Sequence, residues 1–75
     1  MADQSIGGDY VEVLVNKKIV TIPHDYTVLS LLEYLNYPKS VAVFINNKQI
    51  LMAKYEHYKI NQDDNVRIIK PLGGG

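Results

Sequence analysis

One short stretch with helical periodicity constrains the fold of this chain more than any other feature. Its apolar positions follow the spacing i, i+3, i+4, i+7, which places them on one face of a helix. These positions are Val28, Leu31, Leu32 and Leu35. Thr27 is a suitable N-cap, and Asn36 followed by Pro38 favours an end to the helix. The stretch therefore predicts one amphipathic helix whose apolar face covers a sheet.

Residues 10–22 and 41–52 alternate between apolar and polar side chains, which is typical of half-buried strands. Each segment is predicted to be a hairpin, because asparagine tolerates the positive φ of a tight turn. The turns are expected at Asn16-Lys17 and Asn46-Asn47. Pro23 should end the second strand, since it cannot donate to a strand ladder.

The remaining segments predict a crossover and a final strand. Residues 53–58 are ambiguous, either a turn or one helical turn, and Ile60 is expected in the core. A polar turn at residues 62–65 leads into a last strand at residues 66–70. The first and last strands are expected to lie parallel at the centre of the sheet.

This order of elements predicts the fold class. In so small a domain the helix must cover one face of a mixed sheet, which describes an α+β domain of the β-grasp, or ubiquitin-like, type with about five strands. The domain is predicted over residues 10–70. It is expected to lie between a flexible leader at residues 1–9 and a flexible carboxyl-terminal tail at residues 71–75.

Composition excludes several classes of function. Eight basic and eight acidic side chains balance to zero net charge, which argues against a nucleic-acid or membrane-surface binder. Without cysteine there is no thiolate metal site or thiol nucleophile. His24 and His57 lack metal-ligand spacing, so we expect no metal, no cofactor and no catalytic residue. The chain is expected to be cytoplasmic and monomeric when free.

The chain ends in Pro71-Leu72-Gly73-Gly74-Gly75, a run that offers little to a core because glycine has no side chain. Two interpretations compete. The run is either a frayed terminus, such as a cloning remnant or a truncated linker, or a device that presents the carboxylate of Gly75 as a reactive group.

Several stretches carry a resemblance to a known family. They are residues 27–35, 41–48, 55–58 and 62–69 and the terminal Gly74-Gly75. In these stretches the chain resembles the ThiS sulfur carriers, a family shared with the small subunit of molybdopterin synthase. The family's acidic-glycine-acidic turn is aligned with residues 63–65. Residues 69–72 stand where the molybdopterin branch tends to carry an aromatic-Pro-Pro stretch, and this departure favours the thiamine branch.

The resemblance implies a reaction at the carboxyl terminus. An ATP-dependent adenylating enzyme of the ThiF/MoeB type would activate the Gly75 carboxylate, with Gly74 beside it. A sulfur-donor protein of the cysteine desulfurase type would then convert it to a thiocarboxylate, which supplies sulfur to thiazole synthase. The carrier itself would be no enzyme. Alternatives are a carrier for molybdopterin or cysteine synthesis, a ubiquitin-like protein modifier, or a β-grasp interaction module.

Strand parity predicts a docking surface for the adenylating enzyme. If the valines of the first strand face the helix, Leu14, Phe44 and Ile69 fall on the opposite face of the sheet. We expect these three to form one contiguous apolar patch, continued in the tail by residues 71–73. The alternative is an ordinary open sheet face with some apolar content.

Overall fold

The computed structural model describes residues 10–70, so the predicted leader and the predicted tail both lie outside the described residues. The elements follow the predicted order. They are β1 (Tyr10–Val15), β2 (Lys18–Pro23), α1 (Val28–Tyr34), β3 (Ala42–Ile45), β4 (Lys48–Ile50), a 3-10 helix (Met52–Lys54) and β5 (Asn65–Ile69).

The strands form one sheet in the order β2-β1-β5-β3-β4. β5 lies at the centre, parallel to β1 and antiparallel to β3, while β2 and β4 pair antiparallel at the two edges. The sheet is therefore mixed, and the prediction that the first and last strands run parallel is confirmed. Because β5 has a neighbour on each side, its direction is held along both edges.

The core lies between α1 and one face of the sheet. Val28, Leu31 and Leu32 are buried, and Leu35, the last member of the predicted stripe, is partly buried against them. The strands contribute alternate residues. Those that are buried are Val11, Val13, Val15, Ile22, Val43, Ile45, Ile50, Val66 and Ile68. One main helix on a five-stranded mixed sheet confirms the predicted α+β, β-grasp fold.

Both predicted ends of α1 are confirmed. Thr27 Oγ1 accepts a hydrogen bond from the Ser30 amide at 3.2 Å, as an N-cap does. Asn36 has a φ of 64°, the left-handed conformation common just after a helix. In the part of the chain that the structure describes, no helix is long and apolar enough to cross a membrane.

Several strand ends differ from the prediction; β5, for example, spans Asn65–Ile69 rather than residues 66–70. β2 includes Pro23 as its last residue, which an edge strand tolerates because it needs no donor on its outer side. β4 ends at Ile50, earlier than predicted, because the chain turns into the 3-10 helix, where the Tyr55 amide donates to the Met52 carbonyl. This helix places Tyr55 in the core, and its hydroxyl donates to the Val41 carbonyl at 2.7 Å.

Candidate functional site at the end of the central strand

The open face of the sheet, opposite α1, carries the three predicted docking residues. Leu14 on β1 is 38% exposed and Ile69 on β5 is 44% exposed, whereas Phe44 on β3 is half-buried. Along each of these strands the alternate positions are buried against the helix side. The structure therefore places all three side chains on the face that parity predicts.

The strand register corrects the prediction of one contiguous patch. Phe44 lies opposite Arg67 on β5, so Ile69, two residues further along, is a diagonal neighbour of Phe44. Leu14 lies beside Asn65, on the other side of β5. Arg67 and Asn65 thus separate Leu14 from the other two residues. We refer to Phe44, Arg67 and Ile69 as the β3–β5 surface.

Arg67 is the member of this surface that sequence reasoning missed. Its guanidinium carbon lies 5.2 Å from the centroid of the Phe44 ring, within the range of a cation–π contact. A shallow pocket of about 100 Å³, which Lys17 also lines, lies beside this pair. The alternation that exposes Ile69 also exposes Arg67, so the signal was present in the strand pattern. The surface is therefore apolar and cationic.

The end of β5 is held by a side chain from a neighbouring turn. β1 ends at Val15, and the chain reverses at Asn16 and Lys17, whose φ angles are 49° and 74°. Asn16 nevertheless reaches Ile68. Its Oδ1 accepts from the Ile68 amide at 2.8 Å, and its Nδ2 donates to the Ile68 carbonyl at 3.3 Å. We refer to these two hydrogen bonds as the Asn16 clamp.

Lys70 is the last described residue, and its side chain lies near Tyr37 in the loop that follows α1. Its Nζ lies 5.7 Å from the centroid of the Tyr37 ring. The Tyr37 amide donates to the Leu32 carbonyl at 2.8 Å, which ties this ring to the end of α1. Gly74 and Gly75, together with residues 71–73, were predicted to be functional and lie outside the described residues.

The start of β5 is held by the second hairpin turn. Asn46 Oδ1 accepts from the Asn65 amide at 3.0 Å, and Asn46 Nδ2 donates to Asp64 Oδ1 at 3.1 Å. Asp64 is buried, and its other carboxylate oxygen accepts from the Asn61 amide at 2.8 Å. Hydrogen bonds of this kind satisfy a buried carboxylate. Within residues 10–70, no group of three or more His, Cys, Asp or Glu side chains could hold a metal ion.

The turn before β5 includes a residue in the left-handed conformation. Asp63 has a φ of 69°, in the region where glycine has no steric penalty. The alignment of the family's acidic-glycine-acidic turn with residues 63–65 stays a prediction.

Two titratable groups with shifted pKa values lie away from the β3–β5 surface. Burial raises the pKa of the Tyr55 hydroxyl, which lies in the core. The Lys59 ammonium, 3.0 Å from Asp25 Oδ1, lowers the pKa of the Asp25 carboxyl in the loop between β2 and α1. Both groups therefore belong to the scaffold rather than to the candidate site.

Comparisons with known proteins agree with this architecture. The model of the ThiS family matches residues 6–75. A crystal structure of the thiamine biosynthesis protein ThiS from Geobacter metallireducens is similar, with a TM-score of 0.74 and 23% sequence identity. The match covers 87% of this chain and 100% of that one, and it shows a shared fold. No curated protein sequence matches the chain significantly.

Proposed function

The chain belongs to the ThiS family, and from this we propose that it is a sulfur carrier of thiamine biosynthesis whose reactive group is the carboxylate of Gly75. The observation that carries the proposal is the placement of the end of β5. The central strand leaves the sheet beside the exposed β3–β5 surface, and the matched family region continues from there through Gly75. A docked partner would thus receive the terminal residues next to its binding surface.

The proposed chemistry starts from a poor electrophile, because resonance and negative charge protect a carboxylate from attack. An adenylating enzyme would join the Gly75 carboxylate to the α-phosphate of ATP and release pyrophosphate, which makes AMP the leaving group. The terminal sulfur of a donor protein's persulfide would attack the acyl carbon, form a C–S bond and displace AMP. A thiol would then cleave the S–S bond that came from the persulfide, which leaves a disulfide with the donor sulfur and a thiocarboxylate on Gly75. The nucleophilic sulfur of this thiocarboxylate passes to thiazole synthase.

The composition of residues 71–75 supports this route. Five extended residues span roughly 16–18 Å, which is enough to reach from a docked domain into an ATP site. Gly73 and Gly74 have no Cβ, so a narrow channel can admit their backbone. We propose that Pro71, Leu72 and Gly73 contact the walls of that channel.

We propose that the adenylating enzyme docks on the open face of the sheet. Phe44 and Ile69 offer apolar contacts, and Arg67 offers a cation between them and Leu14. The complementary surface would be apolar with a carboxylate opposite Arg67. Leu14 would contribute from the far side of β5, where its cross-strand neighbour Ile19 is 70% exposed.

Gly75→Ala tests the reactive end. The added methyl group would sit next to the carboxylate that must approach ATP, so we expect ATP–pyrophosphate exchange to fall at least about tenfold. Far-UV circular dichroism should be unchanged, and deletion of Gly75 should be at least as damaging. Gly8→Ala, in the predicted leader, is the matched control. Wild-type exchange by Gly75→Ala would contradict the proposal.

Phe44→Asp tests the docking surface. An acidic side chain in place of the ring should weaken binding to the adenylating enzyme at least about tenfold, as measured by titration calorimetry. Leu51→Asp is the matched control, because Leu51 is also apolar and 65% exposed but lies after β4. Far-UV circular dichroism checks that both variants fold. Equal affinities for Phe44→Asp and the wild type would remove Phe44 from the surface.

A further inference from the structure

We propose that Asn16 is a positioning residue for the reactive end of the chain. Its side chain continues the edge of β1 past Val15 and holds the backbone of β5 at Ile68, just before Lys70. This inference rests on the proposed function. It adds the residue that sets the direction in which the chain leaves the sheet.

The Asn16 clamp takes the place of the next backbone step of the parallel ladder. The Leu14 amide donates to the Asp64 carbonyl at 2.9 Å, and the Asn16 amide donates to the Val66 carbonyl at 2.9 Å. If this two-residue spacing continued, the next hydrogen bond of the ladder would join a backbone amide on the β1 side to the Ile68 carbonyl. The chain has turned away by then, and Asn16 Nδ2 donates to that carbonyl instead.

The Asn16 side chain reproduces both halves of a peptide group. A primary amide carries an acceptor oxygen and donor hydrogens on one planar unit, so it can bond the Ile68 amide and the Ile68 carbonyl together. Asparagine is also enriched at positive φ, and Asn16 has a φ of 49°. Asn16 therefore both helps to reverse the chain and supplies hydrogen bonds to β5 beyond the end of β1.

The clamp holds the end of β5 from the side that β1 has left. On the opposite side, β3 pairs with β5 as far as Ile69. Without the Asn16 side chain, the Ile68 backbone would keep its pairing with β3 but would lose its two hydrogen bonds on the β1 side. Holding both edges restricts the backbone directions open to Ile69 and Lys70. This restriction reduces the conformational entropy that these two residues lose when a partner binds the end of the strand.

Asn16→Gly removes the clamp and keeps the turn, because glycine readily adopts a positive φ. In pyrophosphate exchange with the adenylating enzyme, we expect KM for the carrier to rise about threefold to tenfold. We expect kcat to be unchanged, since the carboxylate and the ATP site are unaltered once the complex forms. In the free protein, hydrogen exchange of the Ile68 amide relative to the Val13 amide should accelerate at least about tenfold.

Asn46→Gly is the matched control. Asn46 occupies the same turn position, has a φ of 53°, and also contributes two side-chain hydrogen bonds, at the start of β5. At a temperature at which both variants stay folded, Asn46→Gly should leave KM and the relative Ile68 exchange at wild-type values. Asn16→Asp keeps the acceptor and loses the donor, so its KM should lie between those of the wild type and Asn16→Gly.

The outcomes separate this inference from the proposed function. An unchanged KM for Asn16→Gly, with normal exchange by the wild type, would overturn the positioning role and leave the sulfur-carrier function intact. An equal rise in KM for Asn46→Gly would also overturn it, because lost stability would then explain both results. No exchange by the wild type would overturn the proposed function and this inference with it.

Discussion

The two hairpin turns of the sheet are built alike, yet they hold different ends of the same strand. Asn16-Lys17 joins β1 to β2 with φ angles of 49° and 74°, and Asn46-Asn47 joins β3 to β4 with φ angles of 53° and 71°. In each turn the first asparagine bonds the backbone of β5 through its side chain. Because β1 is parallel to β5 and β3 is antiparallel to it, one turn reaches the end of β5 and the other reaches its start.

The partners of the two asparagines differ. Both hydrogen bonds of the Asn16 clamp go to Ile68, next to the end of the described chain. Asn46 instead bonds the Asn65 amide and the buried Asp64 carboxylate, which in turn accepts from the Asn61 amide. The same local turn therefore serves stability at the start of the strand and the geometry of the chain's exit at its end.

Asn46→Gly should produce the largest loss of stability in this comparison. It keeps the positive φ but leaves the Asp64 carboxylate without one of its donors and the Asn65 amide without its side-chain acceptor. We expect the free energy of unfolding to fall by about 2 kcal/mol, measured by urea denaturation. Asn16→Gly leaves no buried carboxylate without a donor, so it should lower the free energy of unfolding by only about 1 kcal/mol.

The order of these two losses in the free energy of unfolding tests which end of β5 contributes more to stability. A larger loss for Asn16→Gly would mean that the end of β5, rather than its start, carries the stability of the sheet. Equal slopes of the two unfolding curves against urea would show that the variants share one unfolded state, so that the midpoints compare folded states. Different urea slopes would contradict the interpretation that each variant loses stability only through its local hydrogen bonds.

Both turns and the helix could be predicted from the sequence because their causes are local. A two-residue hairpin turn needs residues that tolerate positive φ, and the asparagines at positions 16, 46 and 47 indicate such turns directly. The helix cap at Thr27 and the left-handed Asn36 follow from the same kind of rule. Given these elements, the short length of the chain left few ways to arrange one helix on one sheet.

The partners of these residues could not be predicted, because they depend on register. Asn16 and Ile68 lie 52 positions apart in sequence, and only the pairing of β1 with β5 brings them together. Strand parity predicted the correct face for Leu14 and Phe44 but carries no information on stagger. The placement of Arg67 between Leu14 and Phe44 therefore became visible only from the strand register of the structure. The predicted reactive end lies outside the described residues.

The smallest expected effects lie at the second position of each turn, where Lys17 and Asn47 both have positive φ. Lysine has no short polar group that supports the left-handed conformation, whereas asparagine does. Lys17→Gly should therefore raise the free energy of unfolding by up to about 1 kcal/mol, or roughly 4–8 °C in Tm for a domain of this size. Asn47→Gly should gain less.

Lys17→Asn separates backbone strain from charge. It gives the first turn the Asn-Asn pair of the second, and it removes the same positive charge as Lys17→Gly. If strain at Lys17 is the cause, Lys17→Asn should recover part of the rise in Tm, and Asn47→Gly should change Tm by less than either Lys17 variant. An equal gain from Lys17→Gly and Asn47→Gly would show that the two turns are equally strained, so that their difference lies only in what their first asparagines bind.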